Sequence, residues 1–342
     1  MSVALDPPHG LHDPGHGTPP RAPGSVRRTA TTEIVRPEGA AGPLHLLGAA
    51  RDLGTAPDGT ASVLRTAETT AVVVGGRVEE LRTAPAHPGT ADLLGLRAAS
   101  GWRTALDAAL PDERAARSPL FLLLDDVPVT SLISGYALMI EGPSAAPAGG
   151  ATSPAGAALS AALGASAGIC SGWREDGTMM VHIRSRGSLP PMQGPVAPEL
   201  RTADADGWHA FGPLPPGAMR RHRRLDVAAD PADPAVLVVD AMFRDSHTSL
   251  AGTETVLHEY DVRARVDRAT GTVLAAQALP RVLPWQECPA AAASAGRLAG
   301  TAVADLRARV RAEFGGTSTC THLTDALREL EDVVALAADL PG

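Results

Sequence analysis

The sequence predicts an α+β fold built twice in tandem, each copy an antiparallel sheet followed by helices, with the two copies packed as a pseudo-dimer. Three observations predict it. The pair Arg51-Asp52 returns as Arg244-Asp245, 193 residues on. After each pair comes a hairpin pattern rich in β-branched residues, and after each hairpin come segments with Ala, Leu and Arg at helical spacing. A stretch of almost only Ala, Gly, Ser and Pro separates the copies.

The elements follow in chain order. Residues 1–24 are rich in Pro, Gly and His. They lack a basic segment leading into an apolar core, so the expectation is a disordered tail and not a secretory signal. Residues 25–141 make the first copy. It opens at Arg27-Arg28-Thr29, runs through Leu46 to Asp52, and turns a hairpin at Gly75-Gly76 between Ala71-Val72-Val73-Val74 and the strand from Arg77 to Leu81. Helices are expected from Leu93 to Leu110 and from Ser131 to Met139. Residues 142–168 read as a flexible linker. Residues 169–218 read as an ordered connector without a clear helix or strand repeat; Cys170, Trp173 and His209 lie there. Residues 219–342 make the second copy. It opens at Arg223-Arg224-Leu225-Asp226, runs through Val238 to Asp245, and turns at Gly271 between Tyr260–Val266 and Thr272–Ala276. Helices are expected from Ala290 to Phe314, broken at Gly300-Thr301, and from Leu323 to Leu336.

Composition excludes several functions. All 30 basic residues are Arg, and the formal net charge is −8, which argues against non-specific nucleic-acid binding. The run Arg220-Arg221-His222-Arg223-Arg224 is a local exception, either a charged strand edge or a clamp for a carboxylate or phosphate. No apolar stretch reaches the roughly 18 residues that span a bilayer. Three cysteines without an export signal argue against a disulfide framework, so the expectation is a cytoplasmic protein with reduced thiols and no membrane partner, compatible with a homodimer. Gly-rich phosphate loops, a Rossmann fingerprint and a Gly-x-Ser-x-Gly elbow are missing from the sequence.

Chemistry-bearing residues gather in the second copy. In Leu257-His258-Glu259-Tyr260-Asp261, strand alternation puts His258 and Tyr260 on one face and Glu259 on the other. In Glu287-Cys288-Pro289 a strand gives way to a helix, and a thiol at a helix start is expected to favour thiolate. Cys320-Thr321-His322 again precedes a helix, with Asp325 in its first turns. Soft and imidazole donors on rigid elements suit a metal, so His258, Cys288, Cys320 and His322 are the expected ligands. Buried structural cysteines with a hydrogen-bonded histidine are the competing reading. The first copy has no such donors: Thr66 falls near the place of His258, and Leu122-Leu123-Leu124-Asp125-Asp126 near that of Cys-Thr-His.

From His258 to Leu336 the chain resembles the IscU/NifU N-terminal family of iron–sulfur scaffolds. The resemblance rests on a strand at Arg263–Asp267, Glu287-Cys288 before an Ala-rich helix, a break at Gly300-Thr301, and Cys320 ahead of Asp325-Ala326. It implies an IscU-like fold in each copy, with Cys288 and Cys320 matching the family's second and third cysteines. Val256 stands where the first cysteine would be, and His258 lies near the place of the family's aspartate. Leu-His-Glu-Tyr, Pro-Trp-x-Glu-Cys-Pro and Cys-Thr-His-Leu also resemble an uncharacterised bacterial domain family, which implies no activity.

The functional expectation is a metal-dependent enzyme with a mononuclear Cys/His site. Zinc is the expected ion, with iron or an iron–sulfur cluster as the alternative. The expected substrate is a small anionic organic molecule, turned over by hydrolysis, lyase chemistry or isomerisation. His322, Glu259 and Asp325 would serve catalysis, and Arg223, Arg224, Arg244 and Tyr260 would hold the substrate. Two alternatives stand beside it: a sulfur or iron–sulfur carrier, and a binding module with a structural metal.

Overall fold

In a computed structural model, the structure describes residues 10–141, 161, 163–164, 166–190, 192, 194–201 and 204–341. The chain is α+β. Eight antiparallel strands form one sheet: β1 Ser25–Val35, β2 Leu44–Thr55, β3 Ala61–Val74, β4 Arg77–Ala84, β5 Met219–Asp230, β6 Asp233–Thr248, β7 Glu254–Asp267 and β8 Val273–Val282. Their order across the sheet is β4-β3-β2-β1-β5-β6-β7-β8. Two four-stranded meanders therefore join through β1 and β5, which pair from Ser25↔Ala228 to Ile34↔Met219.

The local reasons are visible in the residues. Gly75 and Gly76, both at positive φ (56° and 78°), close β3 onto β4 in a two-residue turn that glycine alone accepts readily. From Thr66 on, β3 alternates exposed Thr66, Glu68 and Thr70 with buried Ala67, Thr69, Ala71 and Val73, whereas β1 is buried almost throughout because both its faces are covered.

One face of the sheet carries the helices: α1 Trp102–Ala109, α2 Pro111–Ala116, α3 Pro119–Asp125, α4 Val127–Glu141, α5 Thr178–Arg186, α6 Leu306–Glu313, α7 Thr321–Glu329 and α8 Val333–Ala338. The Ser118 side chain caps α3 by accepting from the Phe121 N–H at 3.0 Å. Leu120 to Leu124 are all buried, and the Trp102 indole donates to the Leu124 carbonyl at 2.8 Å. In the second half Phe243, Tyr260 and Val262 of the sheet meet Leu323, Leu327, Val333 and Leu336 of the helices. No single helix among the described residues is long and apolar enough to cross a membrane.

Several expectations change. Residues 10–24 are not a loose tail. Their backbone pairs alongside the end of β8, with Gly10 N–H to the Pro284 carbonyl and Leu283 N–H to the Leu11 carbonyl, both 3.0 Å. Arg21 then grips Asp204 through Nε and Nη2. Pro and Gly rule out a helix there, but an open sheet edge offers unpaired donors and acceptors that such a segment can meet. The connector contains a helix, α5, whose Met179, Met180 and Ile183 are buried. Its later part, with residues 10–24, covers the sheet face opposite the helices. The expected helix after Ala290 is instead a run of 3₁₀ turns, Cys288–Leu298, ended by Gly300 at φ 81°. Most of the expected linker, including residues 142–160, lies outside the described residues.

The helix-facing side of the sheet is unusually charged for a core. Arg28 grips Asp52 through two bonds of 2.7 and 2.8 Å, and Arg221 grips Asp245 through two of 2.7 Å. Each pair spans 24 residues of sequence. Each half also lends an aspartate to the other: Asp126 at the end of α3 takes Arg223 of β5, and Asp332 just before α8 takes Arg28 of β1. Buried guanidinium groups survive only when paired in this way.

Candidate metal centre

Asp245 and His258 are direct partners across the β6–β7 ladder. The next pair is Ser246↔Val256, so Leu257 is an extra residue and the strand bulges beside His258. Such a bulge bends a strand and re-aims its side chains. The His258 imidazole thereby points under α7, where it lies on His322 with ring centroids 3.7 Å apart and planes 12° from parallel. Asp245 Oδ2 is 3.7 Å from His322 Nε2. Donor atoms of Asp245, His258 and His322 all fall within 4.8 Å of one another, and all three residues are buried.

Among the described residues, His258 Nδ1 and His322 Nε2 have no hydrogen-bond partner, although both are shielded from solvent. Burial pushes both imidazoles toward the neutral form. His258 falls well below its ordinary value, with the neighbouring His322 adding to the effect. His322 drops to about 3, with Arg221 adding to it. Neutral imidazole is the form that ligates metal. Arg221 fixes the plane of Asp245, and each carboxylate oxygen keeps a further lone pair. Phe243 lies parallel to His322 on one side, at 6.3 Å and 11°, and Tyr136 of α4 sits 5.5 Å from His258. The first half therefore walls the site.

The expected ligands are split. His258 and His322 come together. Cys320, the residue before α7, has its thiol 3.8 Å from His322 Nδ1, on the ring edge away from Asp245. Cys288 belongs to the apolar core and lies outside the donor group: a Cβ added to Gly172 would sit 2.8 Å from its sulfur. The expectation of thiolate is also reversed. Burial raises the Cys288 thiol far above its ordinary value and pushes Cys320 up to about 12, outweighing any gain from a helix start.

The expected substrate arginines are committed elsewhere. Arg223 forks onto Asp126 at 2.7 Å and reaches Glu329 at 2.7 Å. Arg224 is held by Asp226 and Asp240. Arg244 is held by Glu259 at 2.6 Å and by the carbonyls of Pro198 and Gly15. Arg224 and Arg244 lie on the sheet face away from the imidazoles, because strand alternation sends them there. Glu259 shares that face with Arg244, so it does not reach the centre. Asp325 is one step removed. Burial alone would raise its carboxyl, but Arg103, Arg221, Arg223 and Arg328 outweigh that and hold it down at about 2. Tyr260 is buried and stacked on Phe243, with its hydroxyl beside Cys320 and no ordinary hydrogen-bond partner among the described residues.

Asp245 was missed. Its sequence signal is the Arg-Asp pair that occurs twice, 193 residues apart, but only the cross-strand register puts it opposite His258. In the first half the same register pairs Asp52 with Arg65, again with one extra residue, Leu64, before the ladder resumes at Leu53↔Val63. Arg65, not Thr66, occupies the place of His258.

Residues 219–336 match the family described as protein of unknown function (DUF2889). The DUF2889 match runs from β5 into α8 and includes Asp245, His258, Cys288, Cys320 and His322. Residues 1–218 lie outside it. No curated protein and no solved structure matches the chain.

Proposed function

We propose that the chain is a metal-dependent enzyme, acting on a small organic anion, whose second half binds one ion through Asp245, His258 and His322. One observation carries the reading: two buried, neutral imidazoles stack at 3.7 Å with unpartnered nitrogens beside a carboxylate. A buried polar nitrogen without a partner costs about 1–3 kcal/mol, and a bound ion would relieve that cost. Two imidazoles and a carboxylate suit zinc, iron(II) or manganese, and three protein ligands leave coordination positions open. An ion there would supply a Lewis acid or a water of lowered pKa. Cys320 would orient His322 from its far nitrogen, and Arg221 would orient Asp245.

The reading includes an origin by duplication. The first half would be a copy that lost its donors and now supplies Tyr136 as part of the wall. The test is elemental analysis of the purified protein after equilibration with zinc, iron(II) and manganese in turn. The wild type should hold about one ion per chain, and His258→Gln and His322→Gln almost none. Cys288→Ser should keep its ion. A wild type that takes up none of the three metals sinks the proposal, with circular dichroism confirming that each variant is folded.

A second reading, a sulfur-handling protein, is favoured by one specific arrangement. Ser171 donates its backbone N–H to the Thr319 carbonyl at 2.9 Å and its hydroxyl to the Glu287 carbonyl at 2.5 Å. The segments bearing Cys170, Cys288 and Cys320 are thereby tied together. Iron and acid-labile sulfide retained after anaerobic purification, and lost in Cys288→Ser, would favour this reading over the first.

A further inference from the structure

A cleft of about 720 Å3 opens between the two halves, on the other side of the first turns of α7 from the imidazoles. Its walls come from α1, α4 and the segment before α1 in the first half, and from α6 and α7 in the second. Three arginines line it, Arg97, Arg103 and Arg311, together with Ser131, Thr321 and Thr324. We propose that this cleft binds the carboxylate or phosphate group of a small organic anion. The proposal does not depend on the metal.

The arginines of this protein are, for the most part, engaged. Those of the core each face one or more carboxylates. Arg97 and Arg311 differ: among the described residues neither side chain makes an ion pair or hydrogen bond, although both face one cleft. Arg97 is nonetheless fixed at its backbone, because Ala98 N–H donates to the Gly76 carbonyl at 3.0 Å and Val78 N–H to the Leu96 carbonyl at 2.9 Å. Arg103 spends Nε and Nη2 on the Asp125 carbonyl and Asp325, and its Nη1 has no partner among the described residues. The one acidic residue of the lining, Asp325, is already neutralised by Arg103, Arg221 and Arg328.

Surplus guanidinium donors suit an oxyanion, whose fork of acceptors matches guanidinium geometry. The volume is that of a small-molecule site. The chain's net charge of −8 disfavours a long polyanion, which would meet repulsion beyond the cleft.

The test is calorimetric titration with succinate and, separately, inorganic phosphate, at low salt and pH 7. Four proteins are compared: the wild type, Arg97→Ala/Arg311→Ala, the equally charged control Arg263→Ala/Arg268→Ala on the distant β7 hairpin, and His258→Gln. At least one anion should bind the wild type. The cleft double variant should bind it at least tenfold more weakly. The control should stay within twofold of the wild type, and so should His258→Gln, which separates this site from the metal. Binding of one anion and not the other identifies the group recognised. If neither anion binds, if the cleft variant binds like the wild type, or if the control loses as much, the proposal is overturned.

Discussion

In the first half Arg28 grips Asp52, and the residue opposite Asp52 on the next strand is Arg65. In the second half Arg221 grips Asp245, and the residue opposite is His258. The spacing, the ladder register and the extra leucine after the aspartate are the same. The outcome differs because of what faces the carboxylate. Arg65 reaches Asp52 at 3.3 Å and continues outward to Asp339, so the first aspartate ends in an ordinary charge network open to solvent. His258 is buried, carries no charge and finds a second imidazole, so the second aspartate ends in an unsatisfied donor cluster. One backbone frame thus carries either a charge pair or, in the proposed reading, an ion-binding group, according to one cross-strand position.

The sharpest way to break this comparison is to remove each gripping arginine. Arg28→Ala and Arg221→Ala should each cost about 3–5 kcal/mol, because each strands a buried carboxylate. Urea unfolding curves measure this. Only Arg221→Ala should also weaken metal uptake. Equal metal content in the two variants would mean that Asp245 is no more a ligand than Asp52.

Acid provides a second, smaller probe. His209 lies between Thr29 and Thr31 of β1, with ring nitrogens 2.9 Å from each hydroxyl. Burial, with Arg51 and Arg220 adding to it, lowers its pKa from 6.5 to about 4. A histidine depressed in the fold takes its proton first in the unfolded chain. Its contribution is therefore complete above pH 6.5 and lost as pH falls from 6.5 toward 4, in total about 3 kcal/mol. His209→Gln should flatten the stability profile over that window relative to the wild type. An unchanged slope would show that the ring titrates normally.

The smallest effect belongs to Arg65. Its side chain is 41% exposed, so Arg65→Ala should cost only about 0.5 kcal/mol, and less in high salt. A loss comparable to that of Arg28→Ala would show that the first half depends on this ion pair as heavily as on the buried one.

Much of the architecture was legible because it is local. The turn at Gly75-Gly76, the alternation that separates His258 from Glu259, and the helix of α4 each follow from residues a few positions apart. The pairing of distant residues was not legible. Asp245 meets His258 through a ladder register, and no short pattern encodes register once a bulge intervenes. The arginines misled for the same reason. Arg223, Arg224 and Arg244 look available in the sequence, yet Asp126, Asp240 and Glu259 reach them from other elements. Cys288 read as reactive because it begins a helical segment, whereas burial among apolar side chains governs its thiol.

The exchange of Asp126 and Asp332 between the halves has a consequence for how the chain can be taken apart. Severed from its companion, each half would keep a buried arginine with one counter-charge fewer: Arg28 would retain Asp52 and lose Asp332, and Arg223 would retain Glu329 and lose Asp126. Each half should therefore be insoluble or molten when expressed alone. The two polypeptides should recover native structure when produced together in one cell. The two halves are therefore expected to fold as one unit.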